Sequence, residues 1–161
     1  MQKLPHRYRV QASAEPEGSV ALASQGLDTL ATAPPAEYGG PGDRWSPETL
    51  LVGAAADCFG LSFSAIAGAS SLPWVALRCE AEGCVDRVEG VTRFTSLKLH
   101  AFLTLPEDAD AEKARRLLEK AKRACLVTSS LVCPVSLEIE VTRQGEDVAY
   151  GSTAPARRAP T

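Results

Sequence analysis

A long apolar segment with a cysteine, Cys58, near its middle constrains the fold more than any other feature of this sequence. The segment opens with Ser46, Pro47 and Glu48, which together are typical of a helix N-terminus: a capping hydroxyl, a proline in the first helical position and a carboxylate at the positive end of the helix dipole. We predict one helix from here to about residue 70, roughly 35 Å long at 1.5 Å per residue. Apolar and small side chains surround it, which indicates a central, buried helix that lets a second helix, including one from a partner subunit, approach closely.

The size and charge of the chain restrict what it does. Its 161 residues are enough for one ordinary core, so we expect a single domain over residues 1–150 and a flexible tail over residues 151–161, which have little to bury. The net charge is −3 and the basic residues are scattered, so nucleic acid is not an expected partner. No signal-peptide pattern follows the N-terminus, which favours a cytoplasmic location. Asp57 within the apolar segment argues against a membrane span.

The five cysteines form neither a disulfide framework nor a metal motif. Their number is odd, and reductants in the cytosol keep such thiols free. The sequence contains no C-x-x-C pair, and its two histidines stand far apart, whereas zinc sites usually have closely spaced ligands. We therefore expect no metal and no cofactor, and any disulfide to be transient.

The remaining periodicity predicts an α+β protein. Alternating residues indicate strands, a period of 3.6 indicates helices, and a loop rich in Pro and Gly over residues 33–45 carries Tyr38, Arg44 and Trp45, side chains suited to lining a site. The predicted elements are strands at 6–14, 19–26 and 28–32, the long helix, a hairpin of strands at 74–86 and 95–105, a second helix to about residue 124, a short helical turn at 126–131 and a strand at 135–143.

Position alone leaves the role of Cys58 open between an inert core residue and a nucleophile. Cys58 lies about three turns from its helix N-terminus, so the dipole helps it little, and burial raises the pKa of a thiol. Asp57 projects about 100° away and, being negative, would hinder thiolate formation. A reactive Cys58 therefore needs a nearby cation. Cys125, at the end of the second predicted helix, has the same two interpretations.

The segments 46–51 and 54–59, taken with 121–128, resemble the paired signature of the OsmC/Ohr family of osmotically inducible and organic hydroperoxide resistance proteins. The similarity in the order of elements extends from about residue 6 to residue 143. This resemblance implies an OsmC-like α+β fold in which antiparallel sheets wrap around a long central helix. It also implies an intertwined homodimer, an active site at the dimer interface and thiol peroxidase activity.

The resemblance also assigns roles to single residues. Cys58 matches the peroxidatic cysteine, Cys125 the resolving cysteine, and Glu48 the carboxylate that orients an activating arginine. The implied reaction oxidises Cys58 to a sulfenic acid, which Cys125 captures as a disulfide. An external dithiol, of the lipoyl type by resemblance, then restores both thiols. An apolar pocket would favour organic hydroperoxides as substrates.

The chain departs from the family at the activating arginine. In the hydroperoxide-resistance branch this arginine lies in the first hairpin, and the matching residues 14–18 contain none. Arg44 is our substitute candidate, with Arg7 and Arg9 behind it. If no arginine reaches Cys58, the alternative is a non-catalytic dimer that binds a small hydrophobic ligand in the same interface cavity. Cys133, eight residues after Cys125, is a possible competing resolving thiol.

Overall fold

The computed structural model describes residues 3–146 and contains two sheets, one long helix and two further helices. The predicted tail, residues 151–161, lies outside the described residues. The elements are β1 (Gln11–Ser13), β2 (Val20–Ala23), β3 (Leu30–Thr32), a single 3-10 turn (Ala36–Tyr38), α1 (Pro47–Ala69), β4 (Ala76–Val88), β5 (Val91–Leu105), α2 (Ala111–Ala124), α3 (Leu126–Ser129) and β6 (Val135–Arg143).

The two sheets have three strands each, in the orders β1-β2-β3 and β4-β5-β6. The first sheet is antiparallel, and β4 and β5 form an antiparallel hairpin. Its two-residue turn, Glu89 and Gly90, has positive φ at both positions, as the type I′ turn requires. The strand β6 instead pairs parallel to β5, because α2 and α3 carry the chain back before β6 begins. The predicted α+β class is confirmed, and the parallel strand is the one departure from the expected antiparallel sheets.

The N-terminus of α1 forms as the sequence predicts. The Ser46 hydroxyl accepts a hydrogen bond from the Thr49 amide at 3.2 Å, and the Ser46 amide donates to the Thr49 hydroxyl at 2.8 Å. This reciprocal capping box, with Pro47 in the first helical position, fixes where the helix begins. It therefore also fixes the phase of the face that carries Cys58.

The core forms where one face of α1 meets the second sheet and α2. Four residues of α1 and the inward-facing residues of β5 and α2 are almost completely buried: Ala55, Phe59, Phe63, Ala67, Leu97, Leu99, Ala101, Leu103, Leu105, Ala114, Leu118 and Ala121. This face packs against β4, α2 and α3. The packing of this face holds α1 in place, and the α1 residues beside the buried face, Cys58 among them, are only half-buried.

The opposite face of α1 is exposed, so the helix that we expected to be central and buried is buried on one face only. The exposed stripe consists of small residues and one large apolar side chain, Leu61, which is 65% exposed: Ala54, Asp57, Leu61, Ser64, Ala65 and Gly68. By length and composition, α1 is also the one helix of the described chain that could cross a membrane. Core helices of water-soluble proteins pass the same test, so this finding is weak evidence for a span.

Candidate active site

The structure brings together the two cysteines that the sequence pairs. Cys58 lies on α1 and is half-buried, and Cys125 is fully buried where α2 ends and α3 begins. Both are free thiols, and each is among the groups that shift the pKa of the other. The backbone of Cys125 is extended, with φ −68° and ψ 113°, and this break between the two helices directs α3 toward α1.

Cys58 lies in surroundings that stabilise its thiolate. Burial acts to raise its pKa, but hydrogen bonds from the backbone amide of Val127, the side chain of Cys125, the amide of Leu126 and the side chain of Ser62 together lower it below its ordinary value. The two amides belong to the first turn of α3, where backbone N–H groups have no partner within the helix. The long helix thus supplies the thiol, and the short helix supplies donors for it.

Cys125 has the opposite electrostatic bias. Burial raises its pKa, the side chain and backbone of Thr128 act to lower it, and the hydrogen bond and charge of Cys58 raise it further, so that the net direction is upward. The pair therefore favours a thiolate on Cys58 and a protonated thiol on Cys125 that donates to it. This asymmetry suits Cys58 to attack and Cys125 to follow.

Glu48 occupies the first turn of α1, and one of its carboxylate oxygens is buried. This oxygen, Oε2, has no hydrogen-bond partner among residues 3–146. Glu48 also lines two apolar clefts that lie on either side of it. A buried carboxylate oxygen without a donor is costly.

Arg44, the substitute candidate for the activating arginine, is not among the groups that shift the pKa of Cys58. Its guanidinium is exposed and pairs with Asp43 at 3.7 Å. It borders a separate loop cleft with residues such as Gly18 and Pro41. Within the described chain, no arginine is among the groups that set the pKa of Cys58. The segment that carries Arg7 and Arg9 is exposed throughout.

The two clefts beside Glu48 are mostly apolar. The first, of about 670 Å³, lies between α1 and β4, with Trp45, Val52 and Phe94 in its wall. The second, of about 630 Å³, lies between the start of α1 and the first sheet, where Leu51 forms part of the wall. Leu51 precedes Cys58 by seven residues, which places it on the same face roughly 10 Å away along the helix axis. The loop 33–45, predicted to line a site, contributes Tyr38 to both clefts and Trp45 to the first.

The other three cysteines differ in their surroundings. Burial, with the nearby charges of Cys125 and Glu80, raises the pKa of Cys79 to about 11, so Cys79 is a poor nucleophile. Cys84 is exposed on β4. Cys133 is half-buried and borders a small cleft of about 250 Å³, together with Lys122 and Arg123. In the part of the chain that the structure describes, no three His, Cys, Asp or Glu residues gather as metal ligands.

Sequence reasoning missed the groups that surround the two sulfur atoms. These are Ser62, Thr128 and the backbone amides of Leu126 and Val127. Ser62 follows Cys58 by one helical turn, a spacing that was readable in the sequence. The amides carry no sequence signal, because every residue except proline has one.

These features define a class of α+β protein with two neighbouring free thiols, one on a long helix and the other at the end of a shorter helix. Comparison with known proteins gives the family. Residues 40–140 match the family model described as OsmC-like protein, and the chain belongs to this family. The uncharacterized protein YmaD of Bacillus subtilis is 31% identical to it over 111 residues, which cover 67% of this chain and 74% of YmaD.

Solved structures share the fold at lower sequence identity. An OsmC-like protein of unknown function from Vibrio cholerae has a TM-score of 0.78 at 14% identity, covering 84% of this chain and 100% of its own. An organic hydroperoxide resistance protein from Legionella pneumophila has a TM-score of 0.69 at 23% identity, covering 87% of this chain and 99% of its own. An organic hydroperoxide resistance protein from Elizabethkingia anophelis has a TM-score of 0.69 at 19% identity, covering 88% of this chain and 100% of its own. These similarities establish the OsmC-like fold of the chain.

Proposed function

We propose that this protein is a thiol-dependent peroxidase that reduces organic hydroperoxides through Cys58 and Cys125. The observation that carries the proposal is that each thiol shifts the pKa of the other, with opposite net directions, downward for Cys58 and upward for Cys125. A peroxidatic cysteine needs thiolate character and a resolving cysteine within reach. The lowered pKa of Cys58 and its interaction with Cys125 support both conditions.

The proposed reaction moves two electrons from the protein to the peroxide. The Cys58 thiolate attacks one peroxide oxygen, the O–O bond breaks, and the alkoxide leaves and takes up a proton to become an alcohol. Cys58 is now a sulfenic acid. The sulfur of Cys125 attacks the sulfur of Cys58, a disulfide forms and water leaves. An external dithiol reduces the disulfide by two successive thiol exchanges and becomes oxidised itself.

Three features favour organic hydroperoxides over hydrogen peroxide as substrates. The clefts beside Glu48 are apolar, and one of them lies along the same helix face as Cys58. Such clefts gain free energy by burying the carbon skeleton of a substrate. Two structural relatives are described as organic hydroperoxide resistance proteins.

We further propose that the protein works as a homodimer in the cytoplasm. The exposed stripe of α1, with Leu61 at its centre, is suited to packing against a second copy, because its small residues allow close approach. A second copy would also be a source for the donor that Glu48 Oε2 lacks. Arg44, Arg7 and Arg9 of the partner are the candidates for it.

A non-catalytic binding protein is the second candidate function. It is favoured by the apolar clefts and by the fact that, within the described chain, no arginine is among the groups that lower the pKa of Cys58. In this case an apolar molecule would occupy the clefts without reacting. The two candidates differ in one observable, the consumption of peroxide.

The test is turnover of cumene hydroperoxide and of hydrogen peroxide with dihydrolipoamide as the dithiol. We expect the wild-type protein to consume cumene hydroperoxide faster than hydrogen peroxide. Cys58→Ser should abolish consumption and Cys125→Ser should stop multiple turnover, while Cys84→Ser, which alters an exposed thiol, serves as the matched control. A wild-type protein that leaves both peroxides intact would rule out the peroxidase and leave the binding protein.

A further inference from the structure

We propose that the first of the two clefts beside Glu48, the one between α1 and β4, binds a small organic cation, an ammonium group attached to an aromatic body. We call it the β4 cleft. Its volume of about 670 Å³ is within the usual range for a small-molecule site. The proposal does not depend on the peroxidase reaction, because it assigns a ligand to the cleft that faces away from Cys58.

The β4 cleft lies on the side of α1 opposite Cys58. Gly53 and Ala56, which line it, point about 140° and 160° away from Cys58 on a helix that turns 100° per residue. The cleft beside the first sheet, by contrast, contains Leu51, which shares the face of Cys58. A ligand in the β4 cleft is therefore separated from the Cys58 sulfur of the same chain by the body of the helix.

The charged side chains that line the β4 cleft are all acidic. Glu37 and Glu82 are exposed, whereas Glu48 is half-buried. Within residues 3–146, none of the three carboxylates forms an ion pair with a basic side chain. Because the rest of the lining is mostly apolar and screens charge poorly, the three carboxylates attract a cation into the cleft and repel an anion.

Glu48 is the carboxylate that most needs a donor. Its Oε2 is buried and has no hydrogen-bond partner in the described part of the chain. Such an oxygen is costly, and a hydrogen bond from an ammonium group, strengthened by the two opposite charges, offsets that cost. An arginine of a partner subunit would compete for the same oxygen, so binding of a small cation distinguishes the two donors.

Three aromatic side chains in the wall of the β4 cleft suit a cation with an aromatic body: Tyr38, Trp45 and Phe94. Trp45 lies over Gly53, where an added Cβ would be 3.4 Å from the indole ring, so the ring packs directly against the helix backbone. Tyr38 and Trp45 remain 59% and 52% exposed, which leaves their surfaces open to a ligand. Aromatic faces attract ammonium groups and also pack against flat apolar groups.

The experiment is isothermal titration calorimetry of the full-length protein at pH 7 with three probes that share a naphthalene skeleton. The probes are the cation 1-naphthylmethylamine, the neutral 1-naphthylmethanol and the anion 1-naphthoate. We expect the amine to bind roughly tenfold more tightly than the alcohol, or better, since a hydrogen bond to a charged group contributes about one order of magnitude or more in an equilibrium constant. The anion should bind most weakly of the three.

Four variants locate the binding. Glu48→Gln should remove the preference for the amine over the alcohol, whereas the matched control Glu119→Gln, which removes an exposed carboxylate on α2, should keep it. Trp45→Leu should weaken the binding of amine and alcohol alike by several-fold, because both share the naphthalene body. Cys58→Ser should bind the amine as the wild type does, since Cys58 lies on the other side of α1.

Each outcome decides the proposal. Equal affinities for the amine and the alcohol, or a Glu48→Gln variant that is folded by circular dichroism and keeps the preference, would overturn it. Failure of all three probes to bind would also overturn it, in favour of a cleft that a second copy covers. An unchanged affinity in Trp45→Leu or a loss of binding in Cys58→Ser would overturn the placement in the β4 cleft. The readout involves no peroxide, so amine binding by a protein without peroxidase activity would retain this proposal and reject the peroxidase.

Discussion

Replacing Leu126 by proline is the most selective test of how the protein stabilises the Cys58 thiolate, because it removes one backbone donor and little else. Leu126 is the first residue of α3, where an amide has no partner within the helix and proline is well tolerated. The preceding residue, Cys125, has extended φ and ψ angles, which a following proline requires. The side chain of Leu126 is 67% exposed, so its loss costs little packing.

The expected effect follows from the donors that surround Cys58. The amides of Val127 and Leu126 and the side chains of Cys125 and Ser62 counteract the burial of the thiol. A hydrogen bond to a charged group contributes about 1.5–3 kcal/mol. We take the lower end, about 1.5 kcal/mol, because the site is partly open to water and three other donors remain. The thiolate fraction of Cys58 should then fall roughly tenfold in the acidic range, since about 1.4 kcal/mol corresponds to a factor of ten.

The assay is the pH dependence of Cys58 alkylation in Leu126→Pro, compared with Leu126→Ala. The alanine variant loses the same exposed side chain but keeps the amide, so it isolates the contribution of the N–H group. We expect Leu126→Ala to match wild type and Leu126→Pro to require a higher pH for half-maximal reactivity. If the two variants, both folded by circular dichroism, give the same profile, the amides of α3 do not stabilise the thiolate and the reasoning is refuted.

Two further predictions concern stability. The pKa of Cys79 is raised to about 11 from an ordinary 9.0, so between these pH values the folded chain keeps a proton that the unfolded chain releases. This contribution to stability is therefore complete below about pH 9 and is lost as the pH rises toward 11. Urea unfolding at pH 8 and pH 10.5 should therefore show a smaller loss of stability in Cys79→Ala than in wild type, and an equal loss in both would contradict the assignment. Gly40→Ala should lower the free energy of unfolding by about 3 kcal/mol or more, because its Cβ would overlap the carbonyl oxygen of Pro34. The control Gly26→Ala meets no atom within 4 Å and should cost only about 1 kcal/mol for its left-handed backbone, so similar losses in the two variants would refute the close approach.

Much of the fold was predictable from local sequence patterns. The start of α1 follows from Ser46 and Pro47, and the structure places its first helical residue at Pro47. Alternation gave the hairpin of β4 and β5, although both strands extend further toward the turn than predicted. The parallel pairing of β6 was not predictable in this way, because alternation defines the faces of a strand but not the direction of its neighbour.

The candidate site was predictable only in part. The pairing of Cys58 with Cys125 came from the resemblance, since spacing alone left both cysteines as possible core residues. The thiolate donors on α3 were hidden because they are backbone amides, and their direction depends on the extended backbone at Cys125. Arg44 is a candidate from its place in the loop just before α1, but in the structure its exposed guanidinium pairs with Asp43.

The most direct test of the central claim is to treat the reduced protein with one equivalent of cumene hydroperoxide and to map its cysteines by mass spectrometry. We expect the loss of two hydrogen atoms per chain and a disulfide that links the peptides of Cys58 and Cys125. We also expect Cys125→Ser to halt at an oxidised Cys58 that a sulfenic-acid reagent traps. Unmodified Cys58 and Cys125 under these conditions, or a disulfide that leaves Cys58 out, would rule out Cys58 as the thiol that attacks the peroxide.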